Sequence, residues 1–440
     1  MRGIMRRYTL ANQKNARAGW AIGLIALMAI TLGPASAQTQ ADPANDKQPN
    51  IEKLLKRIEE LEASQKQMQD KLDKLGAKPS SLAAADPAPV PAPPVQDAAP
   101  ATAPEESEEG HRLGPVEFRG FTDFGYGRPW FEKLPASGLA GSTNSFNIGD
   151  FDLFTNTRIS EHWNVLGELL ITSDFSNEFG AELDRLMVTY TANDFLKISF
   201  GKYNTAVGYY PNAFHRAHFF QTGISRPVMF ADEDNGGILP VHSIGISATG
   251  KIPSGALGLH WVAEVANGRA QNTDVPIQNF VDQNNGKALN FALYARPDWL
   301  PGFQTGVSVY RDVLHPVGLG TIGQTILSGH VVYVVSKMEW MNEAAIVRHA
   351  VQGGDVYRSL TSYTQLSRAF GKYRPYFRYD YQNVPATDPV FGVLGRMNGP
   401  SIGMLRNLSR YVILKAQYGR LSQRDLPSVN DFQMQLAIAF

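Results

Sequence analysis

The chain ends in Asp431-Phe432-Gln433-Met434-Gln435-Leu436-Ala437-Ile438-Ala439-Phe440. In an extended chain Phe432, Met434, Leu436, Ile438 and Phe440 take one face, and Gln433, Gln435, Ala437 and Ala439 take the other. Successive side chains of a strand point to opposite sides, so this is a strand with one greasy face and one polar or small face. Upstream, Leu196, Ile198 and Phe200 alternate with Lys197, Ser199 and Gly201 in the same way. Leu257, Leu259, Trp261, Ala263 and Val265 alternate with Gly258, His260 and Glu264, and Val412, Leu414, Ala416 and Tyr418 with Lys415 and Gln417.

Extended over 114–440, the rule predicts sixteen strands of about ten residues, longer than the five or six usual in soluble sheets. The gaps between them alternate. Those at 160–161, 191–194, 251–255, 297–301, 336–337 and 370–372 are short, whereas those near 127–145, 204–240, 267–287, 313–324 and 384–399 are long. Short turns on one side and longer loops on the other are the pattern of a transmembrane antiparallel β-barrel, and an even count returns both ends to the same side. Tyr379, Tyr381, Tyr418, Tyr190 and Trp163 sit at strand ends, where interface girdles form. A soluble sandwich or propeller is the competing reading, against which stand the strand length and the lack of a repeat of 40–50 residues.

Composition narrows the function. Lys plus Arg and Asp plus Glu both count 41, so no basic excess is present for phosphate neutralisation and no nucleic-acid partner is expected. With no cysteine, disulfide frameworks, thiolate metal sites and Cys nucleophiles are excluded. No G-x-x-x-x-G-K-[ST] or H-E-x-x-H occurs, and Ser247 in Gly245-Ile246-Ser247-Ala248-Thr249 lacks the second glycine of a nucleophile elbow. His215 and His218 with Asp232 and Glu233 have neither a regular element nor a visible third ligand, so no metal and no cofactor is expected.

Three segments precede the strands. Residues 1–37 read as a signal peptide: Arg2, Arg6, Arg7, Lys14 and Arg17, then an uncharged run from Ala18 to Leu32, then Ala35-Ser36-Ala37 for cleavage. Residues 51–75 form heptads with Ile51, Ile58, Gln65 and Leu72 at a and Leu54, Leu61, Met68 and Leu75 at d. So narrow a seam calls for copies of itself, a coiled coil. Residues 76–113 are Pro-, Ala- and Glu-rich and nearly free of large apolar side chains, which reads as an extended linker.

The sixteen-strand parse, the longest gap in third place and the strand closing on Phe440 resemble bacterial outer-membrane porins. Phe200-Gly201-Lys202-Tyr203-Asn204-Thr205-Ala206-Val207-Gly208 is similar to a strand end of the phosphate-selective porin O and P relatives. The resemblance implies that Met434, Leu436, Ile438 and Phe440 are an assembly signal, that the 204–240 loop folds inward to narrow a pore, and that the barrel forms a homotrimer. The sequence departs from the phosphate-selective pattern of dense basic residues, with 28 Lys/Arg against 27 Asp/Glu from His111 onward.

Charge is unevenly spread. Residues 111–285 hold 12 basic and 18 acidic side chains, and 286–440 hold 16 and 9. Alternation turns Arg374, Arg378 and Lys415 into the lumen, across from the loop's Asp232, Glu233 and Asp234. A transverse field between the two sets at a constriction is the expectation. Tyr209, Tyr210, Phe214, Phe219 and Phe220 are expected to pack the loop inside the barrel, and Arg216 and Arg226 to tether it.

The expected protein is an outer-membrane porin of a Gram-negative-type bacterium, in contact with lipid and passing small hydrophilic solutes or ions with weak charge selectivity. Its coiled coil would lie in the periplasm and reach toward the cell wall. The alternatives are a barrel that merely anchors an envelope tether, and an outer-membrane hydrolase.

Overall fold

A computed structural model of the chain describes residues 116–131, 144–173, 179–214, 218–231, 237–269, 280–282, 284–316, 318–424 and 426–440. The signal segment 1–37, the heptads of 51–75 and the 76–113 linker lie outside the described residues, as do Asp232, Glu233 and Asp234.

The strands are β1 (Val116–Phe131), β2 (Ser145–Arg158), β3 (Trp163–Ser173), β4 (Phe179–Asn193), β5 (Leu196–Asn204), β6 (His242–Ile252), β7 (Leu259–Ala266) and β8 (Ala288–Ala295), followed by β9 (Phe303–Leu314), β10 (Ile322–Val335), β11 (Met338–Val351), β12 (Val356–Arg368), β13 (Tyr373–Asn383), β14 (Arg396–Asn407), β15 (Val412–Gln423) and β16 (Val429–Ala439). Each pairs antiparallel with its sequence neighbours, and β1 pairs β16 from Phe121↔Ala439 to Phe131↔Val429, which closes the barrel. Closure leaves no sheet edge. At the seam Gly120 and Phe440 exchange both backbone hydrogen bonds, 2.7 and 2.9 Å, and the Phe440 ring lies 5.9 Å from that of Phe151.

Alternation sorts the faces as expected. Phe118, Phe146, Leu289, Val307, Phe377 and Ile402 are exposed on the outside, while on β13 Tyr376, Arg378, Asp380 and Gln382 are buried on the inside. Trp163 and Tyr190 pair across β3 and β4 with ring centres 5.0 Å apart at the short-turn end. Among the described residues no helix is long and apolar enough to cross a membrane; the apolar surface belongs to the strands.

The inner face departs from a uniformly polar lining. Ile322, Ile326, Val332 and Val334 of β10 and Met341, Ala345 and Val347 of β11 point inward and are buried. They are buried by the β5–β6 connection and by the β13–β14 loop, which supplies Val384, Val390 and Phe391 to the same cluster. The hydrophobic core of this protein therefore sits inside the barrel, at one side of the lumen. Strands apolar on both faces are expected where both faces are covered.

Gly201 marks the root of the inward loop. Its φ is +123°, and a Cβ there would stand 2.0 Å from the Leu186 carbonyl oxygen. Gly201→Ala is expected to break β4–β5 pairing at a cost of about 3 kcal/mol. The check is the temperature at which the folded barrel loses its fast migration in detergent gels, which should fall.

Candidate functional site

β5 stops at Asn204, well short of the long-loop end, and the chain turns into the lumen. The neck of this connection is tied by Thr205 N–H donating to the Val241 carbonyl (2.8 Å) and Thr205 Oγ1 donating to the Pro240 carbonyl (2.9 Å). Asn204 Nδ2 and Asn212 Nδ2 brace the first turn by donating to the carbonyls of Pro211 and Thr205. A short helix, α1 (Tyr210–Phe214), follows.

Two glutamates of β11 hold this turn. Glu339 and Glu343 are four residues apart on a strand and so share the inner face. Glu343 accepts the backbone N–H groups of Tyr209 and Tyr210, the latter at 3.0 Å, and the Tyr363 hydroxyl at 2.7 Å. Glu339 accepts the Thr222 hydroxyl at 2.8 Å, the Ser367 hydroxyl at 3.0 Å and an Arg374 ion pair at 3.2 Å. The Tyr210 ring stacks on Phe230 (5.9 Å) and meets Tyr363 edge-on (6.1 Å), while its hydroxyl donates to Gln221. Burial pushes the Tyr209 and Tyr210 phenols above their ordinary range, so both stay protonated.

The rest of the loop is pinned to β13 and β15. Arg378 donates to the Ser225 carbonyl (2.6 Å), the Ser225 hydroxyl (2.7 Å) and the Arg226 carbonyl (3.1 Å), and pairs with Asp380 (2.8 Å). Asp380 in turn accepts the Val228 N–H at 3.0 Å. Lys415 donates to the carbonyls of His218 and Gly223, and Gln417 accepts the N–H groups of Ile224 (2.9 Å) and Ser225 (3.2 Å). On the far side His218 reaches Asp150 of β2 at 3.1 Å, and Phe219 and Phe220 pack on Leu405, Ile413 and Ala437.

Arg374, Arg378 and Lys415 thus lie on the inner face, but two of them do not line open space. Arg378 is 2% exposed and Lys415 1%, and their donors are engaged by loop carbonyls and hydroxyls. The acidic run expected to oppose them, Asp232 to Asp234, lies outside the described residues. Tyr209, Tyr210, Phe214, Phe219 and Phe220 pack the loop, while Arg216 lies outside the described residues. Sequence reasoning missed Glu339 and Glu343. Their spacing on an alternating strand was visible, whereas the loop groups they would meet, 117 and 134 residues away, were not. It also missed the second inward loop, where Asp388 accepts the Val390 and Phe391 N–H groups and meets His349 at 2.8 Å.

Among the described residues, one open part of the lumen is a cavity of about 480 Å³ against β4–β10, bordered by Ala206, Gly208, Tyr209 and Asn212 of the loop. Its charged lining is Arg185, Lys197, Lys251 and Arg296 against Asp194 and Glu264. At the short-turn end Lys251 pairs with Asp194 at 3.0 Å, and this contact draws the Asp194 carboxyl below its usual range.

Solved structures share the overall shape of this barrel. An anion-selective porin from Comamonas acidovorans is 13% identical, with a TM-score of 0.54 over 74% of this chain and 99% of that one. The fold is that of a porin. The outer-membrane channel DcaP of Acinetobacter baumannii (13% identity, TM-score 0.52, 74% and 97% covered) and OmpF of Salmonella typhi (12%, 0.52, 74% and 97%) share the porin fold. The likeness does not single out the phosphate-selective relatives suggested by residues 200–208. No protein-family model and no curated protein matches the sequence.

Proposed function

We propose that the protein is an outer-membrane channel for passive diffusion of small hydrophilic solutes or ions. The observation that carries this reading is a water-accessible lumen cavity lined by charged and hydroxyl-bearing side chains, inside a barrel whose outer face is apolar. The inward loop narrows the passage on one side, and selectivity follows from the charges that remain open to the lumen. The aromatic groups Phe124 and Phe146 (5.7 Å apart) and Phe151 and Phe440 on the outer face near the seam support contact with lipid or with another copy of the barrel. Membership of a homotrimer, export by the 1–37 signal and a periplasmic coiled coil at 51–75 belong to the same proposal and rest on the sequence patterns given above. A cell-wall contact through that coiled coil extends it. The channel uses no cofactor and performs no catalysis.

The test is planar-bilayer recording of the signal-free protein in a salt gradient. Discrete conductance steps grouped in threes are the expected result. Silence from a barrel shown to be folded by heat-dependent gel migration would overturn the channel reading.

A further inference from the structure

The strand register lays a row of side chains across the wall of the open cavity. Lys251 of β6 pairs with His260 of β7, His260 with Tyr294 of β8, Tyr294 with Gly306 of β9, and Gly306 with His330 of β10. Partners in register on one face are near neighbours, so the row is a continuous belt on the cavity wall. The His260 and Tyr294 rings are stacked, 5.0 Å apart and 5° from parallel. The Arg296 guanidinium lies 4.8 Å from the Tyr294 ring centre, and its Nε donates to Gln304, which contacts His330 at 3.0 Å. Gly306 is the small member for a reason: a Cβ there would stand 2.6 Å from Tyr294 Cβ and 2.8 Å from His330 Cε1. Its absence lets the two rings close over the strand. Tyr209 of the loop completes the belt from above, 5.8 Å from His330.

Charge on the two sides of the lumen differs in what it meets. Arg378 and Lys415 are sealed beneath the loop, whereas Lys197, Lys251, His260 and Arg296 line the cavity and keep partial exposure. The acids of the cavity are engaged: Glu264 accepts Ala206 N–H and Asn290 Nδ2, and Asp194 pairs with Lys251 at the mouth. The cavity therefore presents net positive charge beside imidazole and phenol rings, and at about 480 Å³ it is of the size that holds a small molecule.

We propose that this belt is a binding subsite for small aromatic carboxylates, with Lys197, Lys251 and Arg296 attracting the carboxylate and the half-buried His260 and Tyr294 rings offering their edges to the planar body. It rests on the channel reading and deepens it by naming a solute class. Cations at a water-filled wall attract anions over several ångströms even when each has a protein partner. Cation–ring contacts of the kind already made by Arg296 and Tyr294 set the preference for a planar solute over a compact one.

The test uses the full mature protein in detergent, titrated calorimetrically with benzoate, acetate and benzyl alcohol, and the same protein in planar bilayers. Benzoate heat exceeding that of both controls is expected, with benzoate reducing chloride current through the open channel. In Lys197→Gln/Lys251→Gln/Arg296→Gln, benzoate affinity should fall about tenfold and the chloride-to-potassium permeability ratio about threefold. Arg296 also braces Gln304, so Lys197→Gln/Lys251→Gln serves as a second variant should the triple one fail to fold; it should show the same direction with a smaller loss. No benzoate heat in the parent protein, equal heats from acetate and benzoate, or an affinity unchanged in a folded variant overturns the proposal. The two readings fail separately. Benzoate heat with silent bilayers removes the channel and keeps the subsite, whereas conducting bilayers without benzoate heat do the reverse.

Discussion

Glu343→Ala is expected to release the inward loop and raise single-channel conductance about twofold, with a noisy open level in place of a steady one. Glu343 is buried and accepts the Tyr209 and Tyr210 N–H groups and the Tyr363 hydroxyl. Truncation leaves these three donors without their acceptor inside the lumen, each costing about 1–3 kcal/mol unless water enters. Water does enter once α1 lifts away, so relaxation runs toward an open lumen and the barrel, held by its ladders, survives. Glu343→Gln keeps one acceptor oxygen where the parent offers one to Tyr209 N–H and the other to Tyr210 N–H and the Tyr363 hydroxyl, and should give a conductance between those of Glu343→Ala and the parent. Planar-bilayer recording of both variants is the check, and equal steady conductance in Glu343→Ala and parent would show that α1 stays in place without this carboxylate.

Arg378→Ala is expected to loosen the second half of the loop. The guanidinium makes hydrogen bonds to Ser225 and Arg226 and is the ion-pair partner of Asp380. Removing one member of a buried pair costs about 3–5 kcal/mol, because the other charge stays desolvated. The chain has no native cysteine, so Met229→Cys, at a buried loop position, reports opening through its rate of maleimide labelling. At 1.4 kcal/mol per tenfold, the Arg378→Ala background should label Cys at this position on the order of 100-fold faster. Arg378→Met/Asp380→Asn removes both charges and should label much more slowly than Arg378→Ala. Equal rates in the two backgrounds would show that the unpaired Asp380 carries no such cost.

These two variants separate what was legible in the residues from what was not. The inner position of Arg378 follows from alternation with Pro375, Phe377 and Tyr379. Its role does not: sequence reasoning made it an open charge of a constriction, and the fold places it against Ser225, 153 residues away. Lys415 is the same case, with His218 at 197 residues' separation. A charge adjoining water and a charge sealed under a loop look alike in a strand pattern. The aromatic residues of the loop were readable because a run as apolar as Tyr209, Tyr210, Phe214, Phe219 and Phe220 needs cover wherever it goes. The inward faces of β10 and β11 were legible only in part, since a strand apolar on both sides says that both are covered and not by what.

The sequence by itself determined the sixteen strands, the face that side chains take away from the register shifts of β1–β2, β3–β4 and β4–β5, and the ends at which long and short connections lie. Those properties follow from the two-residue period of a strand and from turn chemistry, which act over a few residues. Only the tertiary structure decided which side of the lumen is filled and which is open. That choice is made by contacts such as Glu343 with Tyr210 and Arg378 with Ser225, which form only once the barrel brings distant strands around a common interior. The physical reason is desolvation: the loop's buried N–H and C=O groups need partners, the inner faces of β11, β13 and β15 supply them, and Lys197, Lys251 and Arg296 are left lining the described cavity.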